Sequence, residues 1–234
     1  MSISPERPAQ TTHVNCMIRA VLFDHDGTLV DSEPLHFKLW SLVLAPYGVD
    51  LSESVFNTHH AGLPTLANAK DIVNRFGLDE SPEALVKLKN QITQTYLSRD
   101  AYPLMPGVEQ TIKTLHTMGL EMGVVTGANS YSVGSTLRNY PFTRHFSVVV
   151  SADDVKHSKP SPDCYLLAVK KLGLQPGHCL AIEDTAHGMQ AALRAGLRCL
   201  AIPTQISRQH DFTGAEAVLE NMGQALAYIQ KINQ

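Results

Sequence analysis

The chain has 234 residues, of which 44% are hydrophobic and 18% are charged, and its formal net charge is -3 at pH 7. This composition is typical of a globular protein with a substantial core and excludes the disordered and fibrous classes, while the length favours two unequal domains. The charge lacks the basic excess that nucleic-acid-binding proteins use to contact phosphates, so we expect no nucleic-acid partner.

The sequence also bears on the location of the protein. No stretch approaches the roughly 20 apolar residues that span a bilayer, and the polar N-terminal segment differs from a signal peptide. We therefore expect a cytoplasmic protein that has no membrane partner and is a monomer or weak dimer.

The cysteines, Cys16, Cys164, Cys179 and Cys199, show no C-x-x-C or zinc-like spacing, so we interpret them as reduced and structural rather than catalytic.

The first half of the chain predicts a tail, one strand and a helical segment. Residues 1–16 are polar without apolar periodicity and are predicted to form a mobile tail. Residues 17–23, MIRAVLF, form an apolar run that precedes a glycine-containing turn, the pattern of a buried parallel strand. Residues 34–102 contain only helical patterns, at 35–47, 65–76 and 82–97. Because about seventy residues are too many for a loop, we interpret 34–102 as a small second domain.

Strand and helix patterns alternate in the rest of the chain. The predicted strands are 121–126, 146–150, 179–182 and 198–202, and the predicted helices are 107–118, 162–172 and 187–195. Glycine follows each of these helices, as expected at a helix C-terminus. This alternation predicts right-handed crossovers and a parallel sheet covered by helices on both faces, formed by 17–33 and 103–234.

Acidic residues cluster where two of the predicted strands end. Asp24 and Asp26 follow the first strand, with Gly27 directly behind them, and Glu183 and Asp184 follow the fourth. In an open α/β sheet, ligands bind outside the carboxyl ends of the strands. We therefore expect these carboxylates to converge, and such hard oxygen ligands suit Mg²⁺ shared with water and a substrate phosphate oxygen.

The same region offers the groups that phosphoryl transfer needs. A carboxylate beside Mg²⁺ can attack phosphorus, and a second carboxylate two residues further on can protonate the leaving oxygen and then activate water. Thr126 and Gly127 end the second strand, where backbone N–H groups can bind phosphate oxygens. Lys159 follows the third strand and can neutralise charge as a compact cation.

Each of these residues also has a simpler interpretation when taken alone. The first aspartate could form a turn, the threonine could end a strand, the lysine could be solvated, and the acidic pair could cap the next helix. A calcium loop of the EF-hand type fits poorly, because Thr28 and Leu29 stand where an oxygen ligand and a glycine are needed. Only the joint arrangement supports the functional interpretation.

Four motifs, FDHDGTLVDSEPLH, VVTGA, SKPSPDCY and IEDTAHGMQAALRAG, occur in this order along the chain. In them the sequence resembles the haloacid dehalogenase-like (HAD) hydrolase superfamily, in the subgroup of sugar phosphatases, phosphoglycolate phosphatases and β-phosphoglucomutase. The resemblance implies an α/β fold, with a Rossmann-like doubly wound parallel sheet as the core and an inserted α-helical cap domain. It implies an Mg²⁺-dependent phosphatase that hydrolyses a small phosphomonoester, such as a sugar or polyol phosphate, through an aspartyl-phosphate intermediate.

The resemblance also implies a role for each matching residue. Asp24 matches the nucleophile, Asp26 the general acid/base, Thr126 the phosphate-binding hydroxyl and Lys159 the lysine of the active site. Lys156 is an alternative to Lys159, but it is not followed by the proline of the family pattern. The implied metal ligands are Asp24, Asp26 through its backbone carbonyl, Glu183 and Asp184. Because dehalogenases of the family lack the second aspartate, Asp26 favours phosphate chemistry.

The histidines near these motifs are interpreted with alternatives. His36 matches a cap-hinge histidine of the mutase-like subgroup and is a candidate substrate-binding residue. His25 occupies a position that is usually apolar, and we interpret it as packed beside the sheet, with contact to the cap as the alternative. His59 and His60 are expected to be exposed, with a position at the mouth of the active site as the alternative.

Two other functions compete with the phosphatase. A β-phosphoglucomutase-like phosphoryl transferase could use the same core, although no arginine follows the Gly62-Leu-Pro turn where the mutase subgroup tends to carry one. A phosphate-binding module without turnover would not need Asp26. The sequence therefore favours the phosphatase over both.

Overall fold

The computed structural model describes residues 17–234. The predicted tail at 1–16 and Cys16 lie outside the described residues. The strands of the described part are β1 Ala20–Phe23, β2 Glu121–Val125, β3 Val148–Val150, β4 Cys179–Glu183, β5 Arg198–Ala201 and β6 Ala217–Val218. They form one parallel sheet in the order β3-β2-β1-β4-β5-β6.

This strand order makes the sheet doubly wound. From β1 at the centre the chain builds outward through β2 and β3, and it then returns to the other side of β1 to add β4, β5 and β6. All four residues of β1 are fully buried, which explains why its sequence is continuously apolar rather than alternating. The crevice of such a sheet lies beside β1, at the carboxyl ends of the strands.

Helices cover both faces of the sheet, as predicted. On one face lie α5 (Val108–Thr117), α6 (Ser130–Asn139) and α9 (Met222–Ile232), and on the other lie α7 (Asp163–Leu172) and α8 (Ala186–Arg194). The α/β fold class is thus confirmed. α6, α9 and β6 were not predicted: α6 buries Ser135 and Thr136 beside Val133, so polar residues interrupt its apolar pattern, and β6 has only two residues.

The insertion between β1 and β2 is helical. Its helices are α1 Glu33–Leu44, α2 Glu53–His59, α3 Thr65–Phe76 and α4 Pro82–Leu97. They enclose an apolar cluster of their own that includes Trp40, Phe56 and Ile72. The sequence missed α2, because seven residues give too few turns for a periodic pattern.

The predictions about the cysteines and about membrane-spanning segments can be compared with the structure. Cys164, Cys179 and Cys199 are buried and form no disulfide, and burial raises the pKa of the Cys179 thiol to about 11, which disfavours a reactive thiolate. No helix among residues 17–234 has both the length and the apolar character that a membrane crossing requires.

Candidate active site

The carboxylates at the strand ends converge because β1 and β4 are parallel neighbours. Phe23 of β1 is in register with Ile182 of β4, so Asp24 and Glu183 emerge side by side and Asp184 follows. Carboxylate oxygens of Asp24, Glu183 and Asp184 lie within 4.8 Å of one another, and all three residues are buried. The register of two central strands therefore builds the acidic cluster.

Lys159 enters this cluster from the loop between β3 and α7. Its ammonium donates hydrogen bonds to Asp24 Oδ1 at 2.5 Å, to Glu183 Oε1 at 2.6 Å and to the backbone carbonyl of Val125 at 2.8 Å. The side chain is only 9% exposed. Lys156, the alternative from the sequence, is exposed to solvent. The structure thus places the lysine that precedes proline, 135 positions from Asp24, in direct contact with it.

The cluster carries more negative than positive charge. Three carboxylates face one ammonium, which leaves two negative charges in a buried space. Burial, together with the neighbouring carboxylates, raises the pKa of Asp184 well above its ordinary value and that of Glu183 to about 7. Burial also raises the pKa of Asp24, against the opposing effect of Lys159. For Lys159, burial acts to lower the pKa, but Asp24 and Glu183 together outweigh it and raise the pKa. A divalent cation would balance these charges.

Two glycines make room for the carboxylates. Gly27 has φ +78°, and a Cβ at this position would lie 2.3 Å from Asp184 Oδ2. A Cβ on Gly188, in the first turn of α8, would lie 1.9 Å from Glu183 Oε2. Neither position therefore accepts a side chain without moving an acidic group. The N-cap of α8 is Thr185, whose hydroxyl accepts from the Gly188 N–H, so the alternative that Glu183 and Asp184 cap this helix is wrong.

Tyr165 is a site residue that sequence reasoning missed. Its hydroxyl donates to Glu183 Oε1 at 2.6 Å, and both side chains are fully buried. Glu183 Oε1 is thus held by Tyr165 and Lys159 together, while Glu183 Oε2 has no hydrogen-bond partner. In the sequence, Tyr165 follows the lysine-proline motif on an apolar helix face, where it is indistinguishable from a core tyrosine.

Asp26 lies apart from the acidic cluster and contacts the ring of His25. His25 Nδ1 is 3.2 Å from Asp26 Oδ2, and His25 Nε2 is 2.9 Å from the Thr136 hydroxyl of α6. Burial opposes ionisation of Asp26, but the charge and hydrogen bond of His25, with smaller effects of His36 and Ser32, lower its pKa. His25 is fully buried but does more than pack beside the sheet, because both ring nitrogens have partners.

Thr126 and Gly127 lie in the loop after β2, next to Val125 and hence to Lys159. The Thr126 hydroxyl is buried and accepts a hydrogen bond from the Ala128 N–H at 2.9 Å. A hydroxyl that accepts one bond can still donate its own proton, so Thr126 retains a donor for a phosphate oxygen. A Cβ on Gly127 would lie 3.4 Å from Ser158 Oγ, so this loop lies beside the loop that carries Lys159.

The helical insertion contributes a second set of polar groups near Asp26. Lys89 of α4 is 5% exposed, and its ammonium lies 3.4 Å from His36 Nδ1 of α1. Burial lowers the pKa of Lys89 to about 8 and, with the charge of Lys89, that of His36 to about 4. Burial raises the pKa of Glu33 to about 7, and this carboxylate accepts from the Gly62 N–H at 3.1 Å. Sequence reasoning selected His36 and missed Lys89.

The two adjacent histidines of the insertion differ in exposure. His59 is exposed, as expected, but His60 is only 1% exposed, so the expectation of an exposed His60 is wrong. His60 follows the last turn of α2, and its ring lies 6.1 Å from the Phe56 ring, centroid to centroid. Packing against Phe56 one helical turn away accounts for its burial.

The acidic cluster meets the requirements of a divalent cation. Glu183 Oε2 and Asp184 Oδ1 are both buried without a hydrogen-bond partner, which is costly unless something else binds them. Hard carboxylate oxygens at this spacing are the ligands that Mg²⁺ prefers. The Asp26 carboxylate lies outside the cluster and faces His25, so only its backbone carbonyl remains a predicted ligand.

The doubly wound sheet, the buried lysine and carboxylates at its crevice, and the helical insertion after β1 together define an α/β protein with an acidic site suited to phosphate chemistry. The model of the haloacid dehalogenase-like hydrolase family matches residues 18–196. The chain belongs to this family, and it is a phosphomonoester hydrolase.

Known relatives and solved structures agree with this assignment. The chain is 36% identical over 177 residues to fructose-1-phosphate phosphatase YqaB of Escherichia coli (strain K12), covering 76% of this chain and 92% of that protein. It is 30% identical over 191 residues to hexitol phosphatase B of the same organism, covering 80% and 84%.

Among solved structures, the fold resembles CbbY from Rhodobacter sphaeroides in complex with phosphate. The TM-score is 0.71 and the identity is 28%, over 88% of this chain and 95% of that chain. A mutant of that protein in complex with xylulose-(1,5)bisphosphate gives a TM-score of 0.70.

Proposed function

We propose that the protein is an Mg²⁺-dependent phosphatase that hydrolyses small sugar or polyol phosphates through a phosphorylated Asp24. The observation that carries the proposal is the convergence of Asp24, Glu183, Asp184 and Lys159 at the carboxyl ends of β1 and β4. In the hydrolysis of a phosphomonoester through a phosphorylated aspartate, each of these four residues has a chemical role.

In the first step the Asp24 carboxylate attacks phosphorus. A bond forms between an Asp24 oxygen and phosphorus, and the bond between phosphorus and the ester oxygen breaks. Asp26, which its low pKa keeps ionised in the free protein, takes up a proton from solvent as the substrate binds and gives it to the departing oxygen. Lys159 neutralises part of the charge on Asp24 and on the phosphoryl oxygens. The Thr126 hydroxyl and the backbone N–H of Gly127 would hold those oxygens.

In the second step water regenerates Asp24. Asp26, now ionised, takes a proton from the water, whose oxygen attacks phosphorus and releases inorganic phosphate. The low pKa of Asp26 next to His25 supplies the carboxylate form that this step needs.

A bound Mg²⁺ would neutralise phosphoryl charge during transfer. Asp24, Glu183, Asp184 and the backbone carbonyl of Asp26 would hold it. Tyr165 and Lys159 keep Glu183 in place, and Gly27 and Gly188 leave the space that the two acidic groups occupy.

We propose that the insertion, residues 34–102, is a cap domain that excludes bulk water and binds the part of the substrate beyond the phosphate. It brings the Lys89 ammonium within 3.4 Å of His36 Nδ1, and donors of this kind suit sugar or polyol hydroxyls. The relatives named for fructose 1-phosphate and hexitol phosphates support this substrate class. We also propose a cytoplasmic location. The oligomeric state that we propose is a monomer or weak dimer.

The test is a phosphate-release assay with Mg²⁺ and a panel of fructose 1-phosphate, hexitol phosphates, phosphoglycolate and glucose 1-phosphate. We expect Asp24→Asn to lower turnover by at least about a thousandfold, and Asp31→Asn, at an exposed position seven residues away, to leave it unchanged. Near-normal turnover by Asp24→Asn would show that Asp24 is not the nucleophile. Isomerisation that depends on a bisphosphate, with little phosphate release, would favour the phosphoglucomutase-like alternative.

A further inference from the structure

The ring of His25 lies between the ring of Tyr102 and Thr136 of α6. The residue stands in the turn after β1, between the proposed nucleophile and the proposed acid/base, and it is fully buried. The ring of Tyr102 lies against it edge-on, with 6.1 Å between the ring centroids. Because His25 is buried within the core, we do not expect it to touch the substrate.

Both ring nitrogens of His25 have polar partners. Nδ1 lies 3.2 Å from Asp26 Oδ2, and Nε2 lies 2.9 Å from Thr136 Oγ1. An ionised carboxylate can only accept hydrogen bonds, so the nitrogen that faces Asp26 donates. A hydroxyl can either donate or accept, so Thr136 satisfies Nε2 in any protonation state. Thr136 is itself 1% exposed, so the hydrogen bond between its hydroxyl and Nε2 is shielded from water.

The arrangement has consequences for the orientation of Asp26. The Asp26 side chain is 35% exposed, so without a partner on its buried side it could rotate toward solvent. His25 holds Oδ2 from within the core, and Thr136 of α6 in turn prevents rotation of the imidazole ring. α6 packs against the sheet through Val133, which anchors the far end of this chain of hydrogen bonds.

We propose that His25 and Thr136 are positioning residues that hold the Asp26 carboxylate in the orientation needed for proton transfer to the leaving oxygen. The proposal rests on the proposed function, because it assigns the acid/base role to Asp26. It predicts that loss of either residue slows steps in which Asp26 moves a proton and leaves substrate binding intact.

Leaving groups of different basicity test this directly. A sugar alkoxide needs a proton to depart, whereas p-nitrophenolate departs without one, and kcat/KM includes only the steps up to that departure. For Thr136→Val, we expect kcat/KM to fall about 10- to 100-fold with the sugar phosphate that is hydrolysed fastest in the panel. With p-nitrophenyl phosphate, we expect a loss at least about ten times smaller. The KM for the sugar phosphate should change little.

Matched variants separate positioning from folding. Thr136→Ser keeps the hydroxyl and should retain wild-type kinetics, and His25→Asn keeps an N–H near the position of Nδ1 and should be less impaired than His25→Leu. Thermal unfolding of each variant shows whether it is folded; if Thr136→Val is not, the two His25 variants provide the comparison. Equal losses on both substrates, or no loss on either, would overturn the proposal.

The same experiments distinguish failure of the proposed function from failure of the positioning role. If the wild-type protein hydrolyses no phosphomonoester, or if Asp24→Asn stays active, the proposed function fails and this inference fails with it. If wild type is active, Asp24→Asn is inactive and the Thr136 and His25 variants behave like wild type, only the positioning role is wrong.

Discussion

Replacing Gly188 by alanine should inactivate the enzyme even though alanine is the better helix former. At an ordinary helix position this change stabilises by about 1 kcal/mol. At position 188 the new Cβ would lie 1.9 Å from Glu183 Oε2, whereas ordinary contacts begin at 3.4 Å. The Glu183 carboxylate must therefore withdraw by about 1.5 Å, the difference between these two distances.

Such a displacement breaks the hydrogen bonds that Glu183 accepts from Lys159 and Tyr165, both at 2.6 Å. Leaving a buried charge uncompensated costs up to about 3–5 kcal/mol. After the gain in helix propensity, the net loss is about 2–4 kcal/mol, which lowers the Tm by about 4–16 °C in a protein of this size. Misplacement of a metal ligand by more than an ångström should lower kcat about 100-fold and raise the Mg²⁺ concentration needed for half-maximal activity.

Gly134→Ala in α6 is the control, because there the nearest atom to a new Cβ is the flexible end of Arg138, at 3.3 Å. We expect it to keep full activity and to have the same or a slightly higher Tm. Steady-state assays over a range of Mg²⁺ concentrations and thermal unfolding provide the measurements. If Gly188→Ala also keeps full activity and gains stability, then Glu183 is not held against α8 as the structure indicates.

Two further predictions concern the charged groups of the site. Burial lowers the pKa of Lys89 to about 8, so Lys89→Met should raise the Tm by removing a desolvated amine, while KM for sugar phosphates rises about tenfold; an unchanged KM would contradict a role in substrate binding. Burial and neighbouring carboxylates raise the pKa of Glu183 from 4.5 to about 7. In the metal-free protein, protonated Glu183 therefore contributes to the free energy of unfolding below pH 4.5, and this contribution is lost as the pH rises through about 7. The Tm difference between samples with Mg²⁺ and with a chelator should therefore increase from pH 5 to pH 8, and a difference independent of pH would argue against metal binding by this cluster.

Local sequence patterns predicted the α/β architecture and the acidic residues at the strand ends. The strand predicted at 17–23, which the structure has at Ala20–Phe23, was recognisable because a strand buried on both faces must be continuously apolar. Asp24 follows that strand directly, and Glu183 ends another, so their convergence required only that the two strands be parallel and adjacent. Lys159 was distinguished from Lys156 by the proline that follows it, although its contact with Asp24 required the fold.

Contacts between polar side chains from distant segments were decided by the tertiary structure alone. Thr136 and His25 are 111 positions apart, and Tyr165 reaches Glu183 across the packing of α7 on the sheet. In sequence, a threonine, a tyrosine or a lysine on a helix looks the same whether it faces solvent, the core or a catalytic group. The partner depends on how each helix is rotated and set against the sheet, and that is determined by the packing of the whole core rather than by any local pattern.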